Sequence, residues 1–268
     1  MEMRSVSYLI VLIGMNIQLQ SNCAYGWDRK LRPEHSLLYP IPNDPDLWIL
    51  GDRARYVDGT LELVPDASSK VGIAWNGIPV DYCHWQVDIQ FEIKARGIPA
   101  DGFAFFYTKD PITRGQQDSS YGALGGPNNF YGMGVFVDTY DNSGERNFPK
   151  VYPVLLNGKF VYVHRKNGHD QRPYHCPFYC INKKVRIQVI YWDEVFHMTT
   201  IDEWGRETCH KRSWHVKLPA GGYFSLTAVN GLYSERVRIH EFKVSEVLSP
   251  EKCFHRDGKE PSWKEDTY

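Results

Sequence analysis

The 268-residue chain is 42% hydrophobic and nearly neutral, with 31 basic against 32 acidic residues and a formal charge of −1. That balance lacks the basic footprint of a nucleic-acid-binding protein, and no run of like charge offers a polybasic patch to a membrane surface. The length allows one large core or two small ones, and 22 glycines with 16 prolines point to strands joined by many turns.

At the N-terminus, Arg4 precedes an apolar stretch from Val6 to about Met15, and Ser21-Asn22-Cys23-Ala24 supplies small residues for cleavage. This is the pattern of a secretory signal peptide over residues 1–24, too short to span a bilayer. No later stretch is apolar enough to span, so the mature chain is expected to be lumenal or extracellular, without a membrane span. "HWQVDIQFEI" (84–93) alternates cleanly, with Trp85, Val87, Ile89, Phe91 and Ile93 on one face and Gln86, Asp88, Gln90 and Glu92 on the other. "GFAFFYT" (102–108) and "GVFVD" (134–138) are continuously apolar, as strands covered on both sides should be. "KFVYVH" (159–164) and "VRIQVIYW" (185–192) favour strand through β-branched and aromatic residues. Turn signals at Asn76-Gly77 and Asn157-Gly158 separate such runs, and no long amphipathic helix competes. These elements predict an all-β chain, an antiparallel β-sandwich over residues 25–247, followed by a polar tail at 248–268.

In "HCPFYC" (175–180) and "TCH" (208–210), Cys176, Cys180, Cys209 and His210 could pass for a zinc site. The spacing lacks a paired knuckle on each side, and an oxidising compartment makes disulfides the better default. Losing Cys23 with the signal leaves five cysteines, so at least one thiol has no partner within the chain.

A strand carrying Glu-x-Asp-x-Glu would place glycosidase acids on one face, but the nearest match here is Gln86-Val87-Asp88-Ile89-Gln90. Glutamine can neither donate a proton as a general acid nor act as a carboxylate nucleophile, so an enzyme is not expected. "GVFVDTYDNSGERNFP" (134–149) instead concentrates side-chain oxygens from Asp138, Asp141 and Asn142. Asp138, Tyr140 and Asn142 alternate and share one side of an extended segment, suiting a hard cation that takes about six to eight oxygens. The EF-hand order is missing, and the competing reading is a turn whose Asp and Asn cap their own backbone.

Six segments in order, "EHSLLYP" (34–40), "LELVPDASSKVGIAWN" (61–76), "ADGFAFF" (100–106), "GVFVDTYDN" (134–142), "VHRKNG" (163–168) and "LPAGGYFSLTAVNGL" (218–232), resemble the L-type, legume-like lectins. Within that group the resemblance is to the vesicular integral-membrane lectins that recognise high-mannose glycans in the early secretory pathway. It covers about residues 32–244 and implies a legume-lectin-like jelly roll. It assigns Ca2+ to Asp138, the Tyr140 carbonyl, Asn142 and position 167, and mannose to Ser69, Asp101, Asn142, His164, Asn167 and the Asn230-Gly231-Leu232 loop. It implies a cis peptide at Ala100-Asp101 and a disulfide between Cys176 and Cys209. The chain departs from the family at Asn167, where an aspartate is usual. One carboxylate fewer implies weaker Ca2+ binding, since affinity follows ligand charge; Asp141 or Asp170 could compensate. The expected function is Ca2+-dependent binding of high-mannose N-glycans on glycoprotein cargo, for sorting, transport or quality control. The expected place is the lumen of the ER, the ER–Golgi intermediate compartment or the Golgi, or outside the cell. The alternative is a sugar-blind protein-interaction module on the same sandwich.

Overall fold

The alternating and continuous apolar runs become strands of two stacked antiparallel sheets in a computed structural model, which describes residues 28–113, 122–146 and 148–248. In chain order the strands are β1 (Arg29–Leu31), β2 (Trp48–Asp52), β3 (Arg55–Val57), β4 (Thr60–Val64) and β5 (Lys70–Asn76). There follow β6 (Trp85–Lys94), β7 (Gly102–Thr108), β8 (Tyr131–Asp138), β9 (Lys150–Asn157) and β10 (Cys176–Pro177). The series ends with β11 (Lys184–Trp192), β12 (Val195–Ile201), β13 (Glu207–Ser213), β14 (Tyr223–Asn230) and β15 (Arg236–Val247). The back sheet runs β13-β12-β11-β6-β15-β4-β3, with β1 also on β15; the front sheet runs β10-β9-β8-β7-β14-β5-β2. The all-β antiparallel sandwich of the sequence analysis is thus the fold. No described helix is long and apolar enough to cross a membrane. The signal segment, the tail and Cys253 lie outside the described residues.

The alternation of β6 works as a half-buried face should. Trp85, Val87, Ile89, Phe91 and Ile93 enter the core between the sheets, where Phe91 meets Phe103 edge-on at 4.7 Å and Trp85 meets Phe224 at 5.5 Å. On the other face Asp88 accepts hydrogen bonds from Gln86 (2.6 Å) and Gln188 (2.9 Å), so its carboxylate serves the sheet surface. β7 and β8 are buried on both sides because a second apolar cluster covers the front sheet's outer face. That cluster includes Phe106, Phe136, Tyr152 and Tyr162, with Leu124 and Phe130 supplied by the preceding loop.

One sequence reading needs correction. "KFVYVH" is not a strand: β9 stops at Asn157, Gly158 turns the chain at φ 78°, and residues 164–166 form a 3-10 turn. The Gln171 side chain takes the place of a neighbouring strand, accepting from Val163 N–H (2.8 Å) and donating to the Val161 carbonyl (2.7 Å). Phe160, Val161 and Val163 are therefore exposed. Cys176 and Cys209 are joined as a disulfide across the sheets, as the resemblance implies, which leaves no four-ligand zinc site there. Cys180 is buried and Cys83 exposed, both as free thiols.

Candidate functional site

Antiparallel register gathers the singled-out residues at one end of the front sheet. Gly102 of β7 pairs with Asp138 of β8 on one side and with Val229 of β14 on the other, and Asn230 pairs with Lys70 of β5. Asp101, Asp138, Asn230 and Ser69 consequently end up side by side although they are far apart in sequence. The Ala100-Asp101 peptide is cis, as the resemblance implies. Asp101 N–H donates to the Val229 carbonyl (3.0 Å) and its carbonyl accepts from Thr139 N–H (3.1 Å), so the loop is pinned to both neighbours. Gly102, at φ 120°, must be glycine, since a Cβ there would lie 2.0 Å from the Val137 carbonyl oxygen.

Asp138 is only 2% exposed. Its Oδ1 accepts from Tyr140 N–H (3.2 Å) and its Oδ2 from the Tyr152 hydroxyl (2.7 Å). Burial still pushes its carboxyl up to about 8, and the neighbouring Asp101 carboxylate adds to the rise. Burial raises Asp101 itself to about 6, held back by a hydrogen bond from Gly231 N–H. A Cβ on Gly231 would lie 2.8 Å from Asp101 Oδ2, so the close approach of this loop depends on glycine.

The two loops above these carboxylates organise themselves. Asp141 accepts from the backbone N–H groups of Ser143 (3.0 Å), Gly144 (2.8 Å) and Arg146 (2.7 Å), the self-capping turn expected of such a sequence. Asp170 is exposed and paired with Lys166 at 2.9 Å. Both carboxylates considered as replacements for the missing aspartate are therefore committed elsewhere. Asn167 is fully buried in the left-handed region at φ 47°. The amide orientation that satisfies its neighbours puts its oxygen 3.3 Å from Asn142 N and its nitrogen 3.3 Å from the His164 carbonyl. Asn167 thus ties together two other candidate residues. Burial lowers the His164 pKa, and its Nδ1 is buried with no partner.

The 230–232 loop divides its labour. The Asn230 amide is internal, donating to the carbonyls of Pro65 (2.8 Å), Ala67 (3.0 Å) and Glu235 (2.9 Å). Its side chain braces the loop, and only its backbone remains for a ligand. Gly231 supports Asp101, and its carbonyl accepts from Ser69 N–H (2.9 Å). Leu232 stands at the rim, 85% exposed.

The sequence reading missed the support beneath the site. Glu145 from the first loop bridges Lys150 of β9 and Arg172 of the second loop, with Arg172 Nη2 at 2.6 and 2.7 Å from its two carboxylate oxygens. Burial raises the Glu145 carboxyl, but the hydrogen bonds and charges of Arg172 and Lys150 together outweigh it and hold the group down to about 2. Arg172 lies over the Tyr152 ring at 5.1 Å. The only local signal was a lysine opening the apolar strand "KVYPVLLN", five residues after an acid.

Among the described residues, no three His, Cys, Asp or Glu side chains cluster closely enough to hold a metal by themselves. The available donors are one carboxylate (Asp138), two amides (Asn142 and Asn167) and the Tyr140 carbonyl. This set fits a hard cation bound mainly through neutral oxygens. A deeply buried carboxyl, whose charge the Arg172 guanidinium offsets only in part, and an unpartnered His164 nitrogen both suit such a guest.

The legume-like lectin family model matches residues 28–253, and the chain belongs to that family. It is 29% identical to the human VIP36-like protein, over 95% of this chain and 76% of that protein. It is 26% identical to human vesicular integral-membrane protein VIP36, over 90% of this chain and 68% of that one. The crystal structure of the VIP36 exoplasmic/lumenal domain in its Ca2+/Man3GlcNAc-bound form superposes with a TM-score of 0.74 at 28% identity, covering 82% of this chain and 92% of the other.

Proposed function

We propose that this protein is a Ca2+-dependent lectin for high-mannose N-glycans of glycoproteins in the lumen of the ER–Golgi secretory pathway, entered through the signal segment at residues 1–24. The observation carrying this reading is the convergence of Asp101, Asp138, Asn142, His164, Asn167 and Gly231 at one end of the front sheet, in a family whose VIP36 member has been crystallised with Ca2+ and mannose oligosaccharide. Asp138, Asn142, Asn167 and the Tyr140 carbonyl hold the cation, which when bound balances the buried carboxylate charge and fixes the ligands' rotamers. Asp101 accepts from sugar hydroxyls, kept in place by Gly231 N–H. Asn142 and His164 present polar atoms to the same sugar, and Ser69 and the 230–232 backbone complete the rim. A sugar epimer leaves such buried partners unpaired, which is the source of selectivity. Sorting, transport or quality control of glycoprotein cargo follows from reversible binding of this kind. The role needs no catalysis, and Asp88 lies in amide contacts on the back sheet.

Calorimetry with a high-mannose glycan tests this directly. Binding should require Ca2+, disappear with chelator and be abolished by Asn142→Ala. No binding at millimolar Ca2+ would favour the sugar-blind interaction module, a reading supported by the single carboxylate of the cation site.

Asn167→Asp provides a second check. Aspartate tolerates the left-handed backbone and adds a formal charge beside the cation, so Ca2+ affinity should rise by about tenfold. An unchanged or lower affinity would remove position 167 from the ligand set.

A further inference from the structure

We infer that Tyr152, backed by Tyr162, is the positioning residue that fixes the Asp138 carboxylate for its cation. The inference rests on the reading of this site as a Ca2+ site. β9 pairs with β8 so that Tyr152 lies opposite Phe136 and Lys150 opposite Asp138, making Tyr152 and Asp138 diagonal neighbours on the outer face of the front sheet. Tyr152 is 0% and Tyr162 3% exposed, so water cannot stand in for either hydroxyl.

The chemistry gives this contact a direction. In the ionised form that holds a cation the Asp138 carboxylate only accepts, so the Tyr152 hydroxyl donates its one proton to Oδ2 at 2.7 Å. Toward Tyr162, 3.0 Å away, the same oxygen can then only accept, and Tyr162 donates. The result is a polarised chain, Tyr162 to Tyr152 to Asp138, in a water-free pocket where each bond strengthens the next. With Tyr140 N–H on Oδ1, both carboxylate oxygens are anchored, and the plane of the group is set before a cation arrives.

The Tyr152 ring is itself held. Arg172 packs over it at 5.1 Å and is locked in turn by both oxygens of Glu145. Glu145 and Arg172 belong to the two loops that carry the other donors, so one clamp sets the loops and the carboxylate together. Oriented hydrogen bonds behind a ligand govern metal affinity in general, at about ten- to a hundredfold for each partner removed.

Tyr152→Phe removes one oxygen and leaves the ring. In the full chain, titrated with Ca2+ alone by calorimetry, its affinity should fall about tenfold. Glycan affinity at saturating Ca2+ should match the wild type, and the chelator-treated variant should melt within about 6 °C of it, the size of two lost hydrogen bonds. Tyr162→Phe keeps the bond to Asp138 and should give a smaller loss of Ca2+ affinity in the same direction. Wild-type Ca2+ affinity in Tyr152→Phe overturns the inference and leaves the lectin reading standing. Loss of glycan affinity at saturating Ca2+, or a large fall in melting temperature, also overturns it by reducing Tyr152 to general packing. A wild-type protein that takes up no Ca2+ overturns the inference and the Ca2+ reading together.

Discussion

Glu145→Ala should destabilise the protein by about 3 kcal/mol, far more than removal of a surface ion pair, which costs about 0–1 kcal/mol. The difference lies in what stays behind. The side chains of Lys150 and Arg172 are 1% and 4% exposed, and Glu145 is the carboxylate they share. Its removal strands two buried cations beside the Phe148 and Tyr152 rings. For a domain of this size the loss corresponds to a fall of roughly 6–12 °C in melting temperature. Denaturant and thermal unfolding of the Ca2+-free protein would measure it. A loss under about 0.5 kcal/mol would show the clamp to be a surface pair in energetic terms.

Glu235→Gln should do the opposite. Glu235 is fully buried beneath the site, and its two oxygens lack a well-formed hydrogen bond, although the Thr139 hydroxyl lies beside them. Burial pushes its carboxyl up to about 8, Thr139 holds it back in part, and Asp101 and Asp138 push it further. The unfolded chain gives up this proton near the ordinary glutamate value of about 4.3, whereas the folded chain keeps it. Between those two values the folded state binds more protons, so stability falls as pH rises from about 4.3 to about 8. Glutamine does not titrate and removes this penalty. The variant should therefore be about 3–4 kcal/mol more stable than wild type at pH 7 without Ca2+, and the gain should vanish near pH 4. A pH-independent difference between the two melting curves would contradict the assignment.

Much of the architecture was legible in the sequence because burial leaves a pattern. The alternation of β6 announced one polar face, and the unbroken apolar runs of β7 and β8 announced two dry ones. "KFVYVH" carries strand-like residues but is a loop, because its backbone partner is the Gln171 side chain eight to ten positions on, which local propensity cannot register. At the site, the segments quoted for the resemblance marked residues that register then brings to one end of the front sheet. The ground beneath them was illegible. Tyr152 meets Asp138 only through the pairing of β8 with β9, and Glu145 meets Arg172 only because two loops fold toward each other. Asn230 entered as part of a loop that offers backbone N–H groups to a ligand, and the inward bracing by its side-chain amide was not legible.

β13 is the polar edge of the back sheet, and none of its seven residues is buried. Strands usually stay attached through the apolar side chains they bury, and this one buries too few. Cys209 supplies the missing grip through Cys176, a wholly buried residue of β10 at the edge of the front sheet. The bond works as a hem, sewing together the free margins of two fabrics. Thiol chemistry at this edge thereby governs whether the margin holds or frays. A reducing milieu would loosen the border first and expose a line of unpaired amides, while the woven centre of the sandwich stays shut.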